Sequence, residues 1–280
     1  MTKKQKNSLT ATGRYTILIF GSLLVLLPVA WMIITSLKSM QDITLSKGIE
    51  LFPTGPTLAN YITIWSDYPL LRYISNSIVS VGGSTVIAVV CASLCGYGLS
   101  RYEFAGKKFL LSFLLVTQMF PAVMKIIPYY KILVNIHLNN SAVGLMVVYA
   151  SFSIPFCTWM MYGYFKTISV SLDEAARIDG CTPFKTFMKI VLPLTVPGLV
   201  ATTIYAFLQN WNEYMFASVL ISSDTKKTLT FAISTMADSY RIQWNYLMCA
   251  SIIASVPTML FFIFLQKQLI AGMAAGAVKE

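Results

Sequence analysis

Charge is what this chain has least of. Only 11% of its 280 residues are Asp, Glu, Lys or Arg, where a soluble domain carries about 25%. Histidine is almost missing, His137 being the single one. No His-Glu-x-x-His run, paired Cys-x-x-Cys or Cys/His cluster occurs, so no metal-ligand set is expected. No Gly-x-x-x-x-Gly-Lys-[Ser/Thr] loop is present, so the chain does not itself cradle a nucleotide. One histidine and scattered serines do not supply the nucleophile or metal of a membrane-embedded enzyme, and no catalytic residue is assigned. Cys91, Cys95, Cys157, Cys181 and Cys249 fall in or beside apolar stretches, which reads as buried free thiols rather than disulfides.

What is there is apolar. Hydrophobic residues make up 56% of the chain and the mean hydropathy is +0.67. A bilayer-spanning helix needs about 20 such residues. Six stretches qualify, at about 15–37, 74–98, 109–131, 142–165, 196–220 and 247–269. The expectation is an all-α polytopic membrane protein with six transmembrane helices in a lipid bilayer. The first stretch is too long for the apolar part of a secretory signal and no small-residue cleavage site follows it, so it reads as a retained helix.

Lys and Arg set the orientation. Most fall at Lys3, Lys4, Lys6 and Arg14, at Arg101, Lys107 and Lys108, at Lys166, Arg177, Lys185 and Lys189, and at Lys267 and Lys279. That distribution puts both termini in the cytoplasm. The net charge of +10 is therefore a topology signal, and no basic soluble face exists to suggest a nucleic-acid partner. The expected organisation is a cytoplasmic N-terminus (1–14), a first span (15–37), an outer loop (38–73), a membrane body (74–269) and a cytoplasmic tail (270–280).

Three local patterns stand out. Ser80, Ser84, Ala88, Ala92, Gly96 and Ser100 recur every four residues, a small-residue stripe that favours close helix packing over pore lining. Pro121 and Pro128 flank Lys125 and favour a kink in the third span, with Lys125 snorkelling to the outer surface. The polar stretch 171–193 interrupts two apolar runs. Ser171 with Glu174 fits a capping box, Gly180 a helix stop, and Thr182 with Pro183 a new start. Phe184, Phe187, Met188 and Val191 then share one face of the second helix. On pattern alone, an amphipathic interfacial loop and a docking surface fit this element equally.

The run EAARIDGCTPFKTFMKIVLP resembles the EAA motif of ATP-binding-cassette importer permeases: E-A-A, three residues, G, nine residues, I, one residue, L-P. Glu174, Ala175, Ala176, Gly180, Ile190, Leu192 and Pro193 match it without a gap, with Asp179 inside it. The segments PTLANY, YGLSRYEFAGKK, MFPAV and GMAAGAVKE resemble the carbohydrate-uptake branch, nearer the smaller maltose-type permease (MalG) than the larger (MalF). The resemblance implies a type I importer permease fold over 74–269 in a bacterial or archaeal inner membrane, with 171–193 as the element that docks on an ATPase. It also implies a second, MalF-like permease, an ATPase dimer holding ATP and Mg, an extracytoplasmic solute-binding protein and a sugar substrate. The tail, with Gly272 and Gly276, would reach between the ATPase subunits.

In the fifth span, Asn210, Trp211, Asn212, Glu213 and Tyr214 are the candidate substrate-pathway residues, because a ring that stacks on sugar C–H groups stands beside amides and a carboxylate. A charge at mid-bilayer costs about 2.5–3.5 kcal/mol, so Glu213 needs a partner or a wet cavity. These residues fit an interface between permeases as well. Two further readings stay open: an importer of another small solute, and a proton-coupled secondary transporter using Glu213.

Overall fold

The structure, a computed structural model, describes the backbone of residues 3–45 and 55–277 and the side chains of 13–44 and 55–267. Every regular element among the described residues is helical. The main helices are α1 (Lys3–Ser36), α2 (Ala59–Asp67), α3 (Leu70–Arg101), α4 (Lys107–Met119), α5 (Ala122–Asn135), α6 (Ala142–Thr167), α7 (Ser171–Ile178), α8 (Val196–Trp211), α9 (Met215–Leu220) and α10 (Trp244–Ala277).

Four of these carry stretches long and apolar enough to cross a membrane: Gly13–Ser36 of α1, α3, α6 and Trp244–Lys267 of α10. The third expected span is instead a bent pair, and the fifth, expected at 196–220, falls on α8 and α9 with a second bent pair formed by α8 and the run that precedes it. Helices α4 and α5 meet at 99°, and the run 183–194 meets α8 at 81°. If each pair crosses once, the described helices account for six spans. The first break has a backbone cause: Phe120 precedes proline and sits extended at φ −70°, ψ 123°, because the ring clashes with a helical neighbour. Pro128, by contrast, lies inside α5 without breaking it. The second break centres on Thr195, between Pro193 and Pro197. Neither proline donates an N–H to the ladder, and the Thr195 hydroxyl bonds the Leu192 carbonyl at 2.8 Å, satisfying one acceptor there.

The chain forms two compact units. The first comprises residues 1–70 and 235–253. In it, α2 is pinned down by Asn60. That buried amide donates to the Ser36 and Lys38 carbonyls at 2.7 and 2.8 Å and accepts from Asn245 at 2.9 Å. Tyr61 pairs with Ser36 at 2.8 Å, and burial raises its hydroxyl above the ordinary tyrosine range. The apolar side chains of α1, among them Ile17, Phe20 and Val25, are exposed, as lipid-facing residues are.

The second unit comprises 71–234 and 254–280. The small-residue stripe of α3 is its packing seam. Ser80, Ser84, Ala88 and Ala92 are fully buried, and Ala88 and Ala92 join Cys157, Met161, Phe165 and Ala206 in one apolar cluster. At Gly96 a Cβ would lie 2.9 Å from both Met161 Cβ and the Tyr162 backbone nitrogen. We expect Gly96→Ala to push α3 off α6 and cost about 1–3 kcal/mol, read as a lower unfolding midpoint in detergent. An unchanged midpoint would mean that the helices slide apart freely.

The thiols differ from expectation. All five are free, but only Cys157 and Cys249 are buried, and Cys95 is exposed on the flank of α3 that lies outside this seam. In the turn after α3, Lys107 Nζ bonds Glu103 at 2.7 Å and holds that carboxyl below its usual range.

Candidate functional site

Two places gather the sequence candidates. The first is the 171–193 element. Ser171 is not an N-cap here, because α7 has already begun at it and Val170 precedes with helical dihedrals. Ser169 takes that role, its hydroxyl accepting from the Ser171 N–H at 3.3 Å. The expected capping box is therefore absent and Glu174 is left exposed. The stop is as expected and is a Schellman motif. Gly180 adopts φ +78°, its N–H bonds the Arg177 carbonyl, and the Cys181 N–H reaches back to Ala176 at 2.9 Å. Thr182 then accepts from the Lys185 N–H at 3.3 Å, with Pro183 at the first position.

One face of this element is turned outward. Glu174, Ala175, Asp179 and Gly180 are exposed, whereas Ala176 is buried. Ile178 is 87% exposed and Phe184 66%, an arrangement that water alone does not favour. The expected shared face of Phe184, Phe187, Met188 and Val191 is split: Phe187 and Val191 are buried, Phe184 and Met188 exposed. The reason is that 187–191 is a π turn, whose extra residue per turn rotates the register. Ile190 and Leu192 are half-buried and Pro193 is exposed.

The inward face of α7 carries a group that sequence reasoning passed over. Asp173 is buried, and its Oδ2 lies 2.9 Å from Arg101 Nε. Its Oδ1 accepts from the Tyr97 hydroxyl at 2.7 Å. Arg101 also donates through Nη1 to the Phe165 carbonyl at 3.0 Å and through Nη2 to Ile168 at 3.1 Å. The available signal was Asp173 three residues before Ala176, a spacing that puts both on one helix face.

The second place is a cavity of about 670 Å³ at the α4–α5 break and the α8–α9 junction, walled by Gln118, Lys125, Tyr205, Gln209, Asn212, Glu213 and Tyr214 among others. Glu213 spans the gap between α8 and α9, its carboxylate accepting from the Phe216 and Ala217 N–H groups at 2.9 and 3.3 Å. It therefore caps α9, and these bonds offset the burial of its charge. Asn212 caps the end of α8 on the Leu208 carbonyl at 2.8 Å. Lys125, expected to snorkel, is half-buried. It borders the cavity, its ammonium 5.0 Å from the Phe152 ring centroid. Gln118 and Tyr205 were missed; for Gln118, a polar side chain just before the α4–α5 break was the signal.

Asn210 and Trp211 are placed elsewhere. Asn210 is buried, donating to Ser84 Oγ at 2.9 Å and accepting from Ser153 at 3.0 Å, which ties α3, α6 and α8 together. The Trp211 indole N–H bonds the Ala254 carbonyl at 3.1 Å and its ring stacks on Phe207. Consecutive helical residues cannot share a face, so the five candidates divide into two core and three cavity residues. Gly272 and Gly276 lie in the helical backbone of α10, while side chains from 268 on and all of 278–280 lie outside the described residues. Among the described residues, no three His, Cys, Asp or Glu side chains come together as a metal site.

Comparison with known proteins gives this geometry a family. Residues 84–275 match the model of the binding-protein-dependent transport system inner membrane component. The chain is 32% identical to a sulfoquinovosyl glycerol transport system permease of Agrobacterium fabrum, over 91% of this chain and 89% of that one. It is also 32% identical to the trehalose/maltose transport system permease MalG of Thermococcus litoralis, over 94% and 96%. A diacetylchitobiose uptake permease of Streptomyces coelicolor is 29% identical over 95% and 88%. The fold matches a chain in the crystal structure of a bacterial ABC transporter involved in the import of the acidic polysaccharide alginate, with a TM-score of 0.81 over 95% of this chain and 98% of that one, at 20% identity. With more than half its length inside the family match and near-full-length relatives on either side, this chain belongs to the binding-protein-dependent transport system inner membrane components, the permeases of ATP-binding-cassette importers, and is a transport component rather than an enzyme.

Proposed function

We propose that the chain is one of two permease subunits of a sugar importer, forming half of the translocation pathway. Membership of the family implies in general a partner permease, an ATPase and a solute-binding protein. The specific arrangement proposed is a MalF-like second permease, an ATPase dimer carrying ATP and Mg beneath 171–193, and an extracytoplasmic binding protein that delivers sugar. Six spans would then place both termini in the cytoplasm. The sugar assignment draws on relatives named for transporting a sulfoquinovosyl glycerol, diacetylchitobiose and trehalose/maltose. The cavity suits that substrate class, because Tyr205 and Tyr214 offer rings while Gln209 and Asn212 offer amides.

The observation that carries the coupling reading is Ile178, an isoleucine 87% exposed beside a left-handed glycine on a polar element. Such a residue is stabilised by burial in a partner's groove. Closing of the ATPase dimer would then move this element as a rigid body and open the cavity outward. Mild-detergent purification of the tagged protein from its native membranes, with partners identified by mass spectrometry, tests the proposal. An ATPase, a second permease and a solute-binding protein are the expected companions. A chain recovered alone would defeat it. In the same preparation, Ile178→Glu is expected to lower ATPase retention about tenfold or more, as for a central apolar anchor, while keeping the second permease. Equal loss of both partners would point to misfolding instead.

A further inference from the structure

We infer that Asp173, clamped by Arg101 and Tyr97, is the positioning residue through which movement of the cytoplasmic element reaches the helices around the cavity. The inference rests on the proposed docking of that element. Its geometry is unusual in one respect: a single guanidinium touches three elements. Arg101 stands at the end of α3 and ties two carbonyls near the end of α6, at Phe165 and Ile168, to the Asp173 carboxylate of α7. Those carbonyls lie at the negative end of a helix, where a cation is favoured. A lysine would not serve, since it lacks the planar fork that donates to both carbonyls at once while holding its charge against the carboxylate.

A buried ion pair is weak grounds for stability, because apolar side chains of similar volume hold a fold as well. Here apolar packing is already in place beside it. Tyr97, Phe165 and Phe187 form an aromatic cluster with ring centroids 4.9–6.1 Å apart. What the charged node adds is direction. It fixes how α7 is set against α3 and α6, as a greasy contact that can slide does not. Asp173 and Ala176 are the two buried residues of α7, so little else on that helix resists a turn about its axis.

From the node, two routes lead to the cavity. Helix α6 carries Phe152, which borders the cavity and lies under Lys125. Helix α3 carries Ser84, bonded to Asn210 of α8, and α8 ends in the cavity residues Gln209 and Asn212. A pull on α7 therefore reaches both walls through directional bonds rather than through the chain alone. Spatial continuity does not by itself demonstrate coupling, and the ratio of sugar moved to ATP hydrolysed supplies the measurement.

The test uses the whole complex in proteoliposomes with its binding protein and sugar, measuring uptake and ATP hydrolysis in parallel. Asp173→Asn keeps the shape but removes the charge, and leaves Glu174, Ala175 and Ile178 untouched for docking. It is expected to retain the ATPase subunit and hydrolyse ATP while moving about tenfold less sugar per ATP, because the Arg101 charge is left without its partner. Tyr97→Phe removes one neutral donor and keeps the ring, so about a threefold drop is expected. An unchanged ratio in both variants would overturn the inference. Should Asp173→Asn fail to assemble, Tyr97→Phe decides alone: a normal ratio there would make the node a folding staple and nothing more. A wild-type chain that never retains an ATPase would instead sink the docking reading itself.

Discussion

Gly180→Val is expected to abolish ATP-driven uptake, to below about a tenth of the wild-type rate, while the protein inserts at normal abundance. The cause is confined to the backbone. Gly180 holds φ +78°, and a Cβ built on it meets nothing within 4 Å, so no neighbour would be struck. The penalty is that of a left-handed L-residue, about 1–3 kcal/mol and heaviest for a β-branched side chain. That is too little to unfold a protein of this size. It is enough to make the Schellman turn at 176–181 reopen, and the turn is what sets α7 and Ile178 at a fixed angle to the helix that follows. The proposed docking would depend on that angle steeply, because interface energy is concentrated in a few well-seated anchors. Two controls sharpen the test. Gly180→Asn, whose side chain tolerates this conformation, should keep most of the uptake, and Gly180→Ala should fall between. Uptake into membrane vesicles, normalised to inserted protein, gives the order directly. Equal uptake by the valine and asparagine variants would remove the bend from the mechanism.

That turn was legible in the sequence because its determinants are local. A glycine after a helical run, then Thr182 and Pro183, fixes dihedrals and caps within a few residues, whatever surrounds them. The apolar runs were legible for the same reason, since hydropathy is a property of each stretch. Pro121 and Pro128 announced a kink in the third span, but not that the chain would turn there by 99°, because proline removes a hydrogen bond without choosing the new direction. What could not be read was non-local. Arg101 and Asp173 lie on separate helices, and each looks like ordinary topology charge until α3 and α7 are brought together. The register of Phe184 to Val191 failed for another reason: a π turn is sustained by tertiary packing and leaves no mark in residue type.

The sharpest division falls within five consecutive residues, and it yields the second large effect. Trp211→Ala is expected to cost about 3–5 kcal/mol of stability, the usual range for deleting a buried aromatic, and to lower the yield of folded protein in detergent. Trp211 is 5% exposed, its indole N–H satisfies the Ala254 carbonyl, and its own carbonyl accepts from Thr230 at 2.7 Å. Truncation leaves a cavity and the Ala254 carbonyl without its indole donor, while the backbone bond from Thr230 stays. Tyr214, only three residues on, is 49% exposed and borders the cavity. Tyr214→Ala should shift stability by no more than about 0.5 kcal/mol yet slow maximal uptake about two- to tenfold, the worth of one substrate hydrogen bond. Measured together, unfolding midpoint and uptake separate scaffold from pathway. A stable Trp211→Ala protein with impaired uptake would restore the tryptophan to the sugar's route. A Tyr214→Ala protein with normal uptake would move the sugar to the opposite wall of the pathway, on the partner permease.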